Sequence, residues 1–166
     1  TGGQFILRIE DTDRTRFHPG SLPDIFASLR WLGLEWDEGP ERDGPYGPYA
    51  QSERLETYRE WADWLVDQGH AYRCYCTADE LDQMRQAQMA AKQDTGYDRR
   101  CRYLSPAERA EREASDASYV IRLAVPESGA VTFHDAIRGD ITFENARIQD
   151  AVLVKSDGWP TYHLAN

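Results

Sequence analysis

Apolar positions in the first third of the chain predict one strand and one helix. In residues 4–10 (QFILRIE), Phe5, Leu7 and Ile9 alternate with Ile6 and Arg8. With Ile6 also apolar, the segment is apolar enough for a strand that is buried on both faces. A helical spacing of apolar residues follows over 21–32. Ser21 suits the N-cap of this helix and Pro23 its first turn, while Gly33 is placed to end it.

The next stretch predicts a loop and a second helix. Residues 39–48 (GPERDGPYGP) are rich in Gly and Pro, which favour turns over regular structure. From Leu55 to Val66 the apolar residues again lie on one helical face, and Gly69 is placed to stop that helix.

After residue 70 the pattern becomes strand-rich. Ala71–Cys76 (AYRCYC) predicts a strand. Two helix starts follow, each a Ser or Thr with a Glu three residues later, at Thr77–Glu80 and Ser105–Glu108. Four short strands are then predicted, at 119–125, 131–133, 141–143 and 151–154.

Composition narrows the class of protein. The 166 residues contain 19 Lys and Arg against 29 Asp and Glu, a net charge of −10 that argues against a general nucleic-acid binder. The longest apolar runs fall far short of the ~20 residues of a membrane span, so no membrane partner is predicted. The first residue is Thr1 rather than Met, and we expect the chain to be an excerpt of a longer protein.

A cluster of charges follows the first predicted strand. Glu10, Asp11 and Asp13 lie where the carboxyl end of a parallel strand would place ligands. A solvated turn with Asp caps and Arg pairs accounts for them, as does a divalent metal site or a pocket for an ammonium group. The residues alone leave these three interpretations open.

Three cysteines form a second candidate site. Residues two apart on a strand point to the same face, so Cys74 and Cys76 can converge on one ion, with Cys101 as a third ligand. No His lies near Cys101, and the oxygen candidates for a fourth ligand are Tyr97 and Tyr103. The alternative is three free, half-buried thiols in a reducing compartment.

The last residues hold a third candidate. If Thr161 caps a helix, Tyr162 and Asn166 lie one turn apart on the same face, where a phenol and an amide could bind a small polar ligand. A plain cap with a half-buried Tyr is the structural alternative.

Several phrases of this sequence, in this order, resemble the bacterial glutamyl-tRNA synthetases. The similarity covers nearly the whole chain, and the phrases are FILRIEDTDRTR, WLGLEWDEGP, GPYGPYAQSERLETY, GHAYRCYCT, GYDRRCRYL and KSDGWPTYHLAN.

The resemblance implies an α/β fold of the class I synthetase type. A partial Rossmann catalytic domain would span residues 1–72, an inserted α+β domain that binds the tRNA acceptor stem would span 73–155, and residues 156–166 would return to the Rossmann domain.

The resemblance also implies an activity in the cytoplasm. L-glutamate and ATP, with magnesium, would give glutamyl-adenylate, and glutamate would pass to the 3′ end of tRNA(Glu). In this family the residues matching Glu10, Tyr162 and Asn166 face glutamate, Glu10 binding the α-ammonium group. The family's ATP-contacting phrases His-Ile-Gly-His and Lys-Met-Ser-Lys-Ser do not occur in this sequence, so no residue is predicted to be catalytic, and the chain alone is expected to be inactive.

The cysteine spacing resembles that of the zinc-binding members. Many of them place a His two residues after the third Cys, where this chain has Tyr103, whereas a paralogue that glutamylates the queuosine base of tRNA uses a Tyr four residues before it. The resemblance therefore implies one structural zinc on Cys74, Cys76, Tyr97 and Cys101. That paralogue, and a stand-alone zinc-stapled RNA-binding module, are the two alternative functions.

Overall fold

The computed structural model describes residues 2–14, 16 and 18–166, which form two compact units. The first unit comprises residues 1–60 and 159–166, and the second comprises 61–158. The helices are α1 (Ser21–Trp31), α2 (Leu55–Asp67), α3 (Ala78–Ala90), α4 (Pro106–Ala114) and α5 (Tyr162–Ala165). The strands are β1 (Ala71–Cys74), β2 (Val120–Leu123), β3 (Ala130–Asp135), β4 (Gly139–Glu144) and β5 (Val152–Val154).

The segment predicted as the first strand is extended but forms only single bridges. Ile6 pairs in parallel with Glu38, and Ile9 with Ala50. The partners flank the Gly/Pro-rich loop and never run alongside the segment for long enough to form a ladder. Consequently Phe5 and Ile6 are 37% and 43% exposed, and the prediction of burial on both faces is wrong in this structure.

Helix α1 begins one residue earlier than the predicted cap at Ser21 implies. Gly20 occupies the N-cap and makes no side-chain capping bond, so Ser21 is the first helical residue. The predicted end is confirmed, because Gly33 has a φ of 70° and its N–H donates to the carbonyl of Arg30. Phe26 is buried on this helix and its ring stacks on Trp36 at 5.1 Å.

The second unit contains a three-stranded antiparallel sheet in the order β1–β2–β5 and a separate hairpin of β3 and β4. In the sheet Tyr72 lies opposite Arg122, and Cys74 lies opposite Val120. The strands predicted from the sequence are confirmed to within a few residues. Both predicted capping boxes are present, at the starts of α3 and α4.

A buried carboxylate joins β1 to the segment before β5. Asp150 is 1% exposed and accepts a hydrogen bond of 2.7 Å from the Tyr72 hydroxyl. Arg99 and Arg102 approach the same carboxylate at 3.3 and 3.5 Å, which balances its charge. Burial, followed by the hydrogen bond to Asp150, raises the pKa of Tyr72.

No helix in the described part of the chain is long and apolar enough to cross a membrane.

Candidate functional site

Polar side chains from both ends of the chain meet in the first unit. The Nε of Arg8 donates to Glu10 at 2.7 Å, and the same guanidinium donates through Nη2 to the Oδ1 of Asn166. The amide nitrogen of Asn166 in turn lies 2.6 Å from the hydroxyl of Tyr162. Arg8 thus contacts Glu10 and Asn166 directly and reaches Tyr162 through Asn166, which connects the three residues that the family resemblance assigns to glutamate.

Short local elements hold these groups in place. Arg8 and Glu10 are two residues apart on the extended segment, so their side chains point to the same face. Tyr162 opens α5 and Asn166 follows its last residue, one turn further on. The buried Tyr58 donates from its hydroxyl to the carbonyl of Ala165 at 3.4 Å, which anchors the end of α5.

The acidic residues after Glu10 contact separate partners. Asp11 accepts hydrogen bonds from the backbone N–H and the hydroxyl of Ser52, at 2.8 and 2.5 Å. Asp13 pairs with Arg16 at 2.6 Å. Within the described ranges these carboxylates form no group that could hold a metal ion, so the divalent metal interpretation of this segment is not supported.

The three cysteines converge in the second unit. The sulfur atoms of Cys74, Cys76 and Cys101 all lie within 4.8 Å of one another, and those of Cys76 and Cys101 are 3.4 Å apart. The hydroxyl of Tyr97 lies 3.2 Å from the sulfur of Cys74 and 3.8 Å from that of Cys76. Three soft sulfur donors and one phenolic oxygen thus face one point.

Of the two candidate tyrosines, Tyr97 and not Tyr103 lies against the thiols. The Tyr97 hydroxyl also accepts a hydrogen bond of 3.1 Å from the backbone N–H of Cys101. Tyr103, at the end of the 3-10 helix at 100–103, is 62% exposed and donates instead to Glu127.

The cluster favours one negative charge even without a metal. Hydrogen bonds, first from Cys101 and then from Tyr97, lower the pKa of Cys74 to about 4 against the cost of burial. The contact with Cys74, followed by burial, raises the pKa of Cys101, and burial raises that of Tyr97. A cation at the centre of the cluster would favour further deprotonation, because positive charge stabilises thiolate and phenolate anions.

A buried arginine borders the same cluster. Arg122 is 9% exposed, and its guanidinium carbon lies 3.9 Å from the centroid of the Tyr97 ring. One of its nitrogens donates to the backbone carbonyl of Asp150 at 3.0 Å. This position holds the ring of Tyr97 from one side and supplies positive charge next to the thiols.

Arg8 and Arg122 were not predicted from the sequence to belong to a site. The spacing of Arg8 and Glu10 on one extended segment was the available indication for the first. For the second it was a charged residue in the middle of the apolar strand Val-Ile-Arg-Leu, since a buried charge needs a partner. Neither indication predicts the distant partner, which is Asn166 for Arg8 and Tyr97 for Arg122.

The family model and similar sequences both match the chain to aminoacyl-tRNA synthetases. The whole chain, residues 1–166, matches the family described as tRNA synthetases class I (E and Q), catalytic domain. It is 55% identical over 166 residues to a glutamate–tRNA ligase of Protochlamydia amoebophila and 53% identical over 165 residues to one of Dehalococcoides mccartyi. Each match covers 99% of this chain, and the chain spans about a third of the length of these relatives.

Solved structures agree. The crystal structure of a glutamate tRNA ligase from Elizabethkingia meningosepticum in complex with its amino acid superposes with a TM-score of 0.91 at 40% identity. A glutamate–tRNA synthetase structure from Elizabethkingia anophelis gives a TM-score of 0.92 at the same identity. The match to the first structure covers 99% of this chain and 34% of the other. The α/β fold of a partial class I catalytic domain, predicted from the sequence, is thereby confirmed.

Proposed function

Since the chain belongs to the class I tRNA synthetases for glutamate and glutamine, we propose that the whole protein is a glutamate–tRNA ligase. It joins L-glutamate to ATP, taken up with magnesium, to give glutamyl-adenylate and pyrophosphate. The glutamyl group then passes to the 3′ end of tRNA(Glu), and AMP leaves. The second unit contacts the acceptor stem in this proposal, and the reaction takes place in the cytoplasm.

The observation that carries the glutamate assignment is the cluster of Glu10, Tyr162 and Asn166 around Arg8. A free amino acid has an ammonium group and carboxylates, and it needs a negative acceptor together with several donors. Glu10 supplies the acceptor for the ammonium group. Tyr162 and Asn166 supply a hydroxyl and an amide, both of which can donate to an oxygen.

The direct test is ATP–pyrophosphate exchange by the whole protein. Exchange should require L-glutamate and be supported far less by L-glutamine, with tRNA(Glu) present in both reactions. Exchange with glutamine alone, or with neither amino acid, would contradict the proposal.

The proposal includes one structural zinc on Cys74, Cys76, Tyr97 and Cys101. Tetrahedral zinc, with bonds of ~2.3 Å to sulfur and ~2.0 Å to oxygen, places sulfurs about 3.8 Å apart and sulfur and oxygen about 3.5 Å apart. The sulfurs of Cys76 and Cys101 are 3.4 Å apart and all three sulfurs lie within 4.8 Å of one another, while the Tyr97 oxygen is 3.2 and 3.8 Å from two of them; these separations are close to that geometry.

The donor set also fits the chemistry. Thiolates are the ligands that structural zinc prefers, and four protein ligands leave no open position for a substrate. When bound, the ion would supply the positive charge that allows all three thiols to ionise. Cys74, the last residue of β1, and Cys76, two residues beyond it, would then be fixed to Cys101, which lies on the 3-10 helix at 100–103.

A further inference from the structure

We infer that Arg8 is a positioning residue that sets the direction of the hydrogen bonds at the proposed glutamate site, so that Tyr162 donates to a carboxylate of the bound amino acid. This inference rests on the proposed function. It concerns a residue that holds two other residues in place, and Arg8 itself is not assigned a contact with the ligand.

Arginine can only donate hydrogen bonds. A guanidinium group has five N–H donors and no acceptor, so every polar atom it faces must accept. Arg8 faces an oxygen of Glu10 at 2.7 Å and the side-chain amide of Asn166. The atom of Asn166 that faces Arg8 must therefore be its carbonyl oxygen.

The orientation of Asn166 determines that of its next neighbour. With the carbonyl held by Arg8, the NH₂ group points to the hydroxyl of Tyr162, at 2.6 Å. The phenolic oxygen of Tyr162 consequently accepts this hydrogen bond, and its own proton points elsewhere. Because Tyr162 is 57% exposed, that proton is available to an acceptor from solution.

These directions select one class of ligand group at each position. The ionised carboxylate of Glu10 accepts hydrogen bonds and donates none, which suits an ammonium group. The Tyr162 hydroxyl offers a donor, which suits a carboxylate. Without Arg8, the amide of Asn166 can turn by 180° and present its carbonyl to Tyr162. The phenol would then donate to Asn166, and the ligand would lose that donor.

The experiment uses the whole protein with Arg8→Met, a substitution that keeps most of the side-chain length and removes every donor. We expect the KM for glutamate to rise by about tenfold or more, as for the loss of bonds to charged groups, with the KM for ATP unchanged. The matched control is Arg16→Met, since Arg16 follows in the same part of the chain and pairs with Asp13, which is not assigned to the glutamate site. The control should leave both constants unchanged.

A double-mutant cycle tests the route through Tyr162. In a Tyr162→Phe background the donor is already absent, so Arg8→Met should raise the KM for glutamate by a smaller factor than in the parent. An equal factor in both backgrounds, or an unchanged KM in Arg8→Met, overturns the inference while the proposed function stands. A parent protein that neither binds glutamate in calorimetry nor supports exchange overturns the proposed function, and the inference with it.

Discussion

Glu10 is the residue on which recognition of the amino group depends in the proposed site. Replacing its carboxylate with an amide removes the negative charge and retains the shape, so Glu10→Gln should weaken glutamate binding by about 1.5–3 kcal/mol, as for a hydrogen bond to a charged group. Binding of ATP should change little. The measurement is the KM for each substrate in pyrophosphate exchange by the whole protein.

The matched control for Glu10→Gln is Glu35→Gln. Glu35 is also in an ion pair, with Arg42 at 2.9 Å, but its side chain is 72% exposed and surface pairs contribute little. Its substitution should leave the KM for glutamate unchanged. An unchanged KM in Glu10→Gln as well would remove Glu10 from the site.

The cysteine cluster makes a prediction about individual ligands. Cys101→Ala should abolish zinc binding, because it removes one of three thiolates, and Tyr97→Phe should weaken it, because only the oxygen ligand is lost. Tyr103→Phe is the control and should retain the metal, since its hydroxyl contacts Glu127. Elemental analysis of purified protein, expected at about one zinc per chain in the parent, distinguishes these outcomes. A parent without metal and with three reactive thiols would show that the cysteines are ordinary core residues.

At the scale of an element, the start of α4 depends on two side chains. The hydroxyl of Ser105 accepts from the N–H of Glu108 at 3.2 Å, and Glu108 accepts from the N–H of Ser105 at 2.8 Å. Ser105→Ala should lower the free energy of unfolding by about 1 kcal/mol, as for other lost N-caps. Denaturant titration measures this, with Ser28→Ala inside α1 as a control that should lose nothing, because alanine is the better helix former.

The stability that the capping box of Ser105 and Glu108 contributes should depend on pH. The hydroxyl of Ser105, followed by its backbone N–H, lowers the pKa of Glu108 in the folded protein. A lowered pKa in the folded state adds stability that is present above the unfolded pKa and is lost as the pH falls through the folded pKa. The difference in stability between the parent and Ser105→Ala should therefore shrink in acid. A difference that does not vary with pH would show that Glu108 takes no part in the cap.

The elements that the sequence predicts well are those with local causes. The capping boxes, the glycine at the end of α1 and the alternating strands all depend on residues a few positions apart. The segment at 4–10 was predicted less well, because strand formation needs a partner of matching length and the loop around Gly39 supplies only single bridges.

In the candidate sites too, contacts between residues close in sequence were predicted from spacing and contacts between distant residues were not. Cys74 with Cys76, and Tyr162 with Asn166, are close in sequence, and their spacing predicts that they converge. Arg8 reaches Asn166 across almost the whole chain, and Arg122 covers Tyr97 from a different strand. Side-chain contacts of this kind depend on tertiary packing, so spacing alone could not reveal them.

At the scale of the whole molecule, the two proposed sites belong to different units. Glu10, Tyr162 and Asn166 all fall in the first unit, and the four proposed zinc ligands all fall in the second. In the second unit two of the cysteines are themselves core residues, since Cys74 and Cys101 are buried together with Tyr72, and Cys76 packs against them. A metal bound there would join β1 to the segment around Cys101, and its binding free energy would become folding free energy of that unit.

Chelation should therefore destabilise the second unit selectively. At free zinc about 1,000 times the dissociation constant, the ion stabilises the folded form by about 4 kcal/mol, and a strong chelator removes this contribution. Hydrogen exchange of the whole protein measures the effect, because opening of the sheet exposes the paired amides of β1 and β2. Those amides should exchange faster after chelation, whereas the amides of Leu7 and Ile9, bonded to Glu38 and Tyr49 in the first unit, should keep their rates. Unchanged exchange in β1 and β2 would show that no structural metal holds the cysteine cluster, and equal acceleration in both units would show that its effect is not confined to the second.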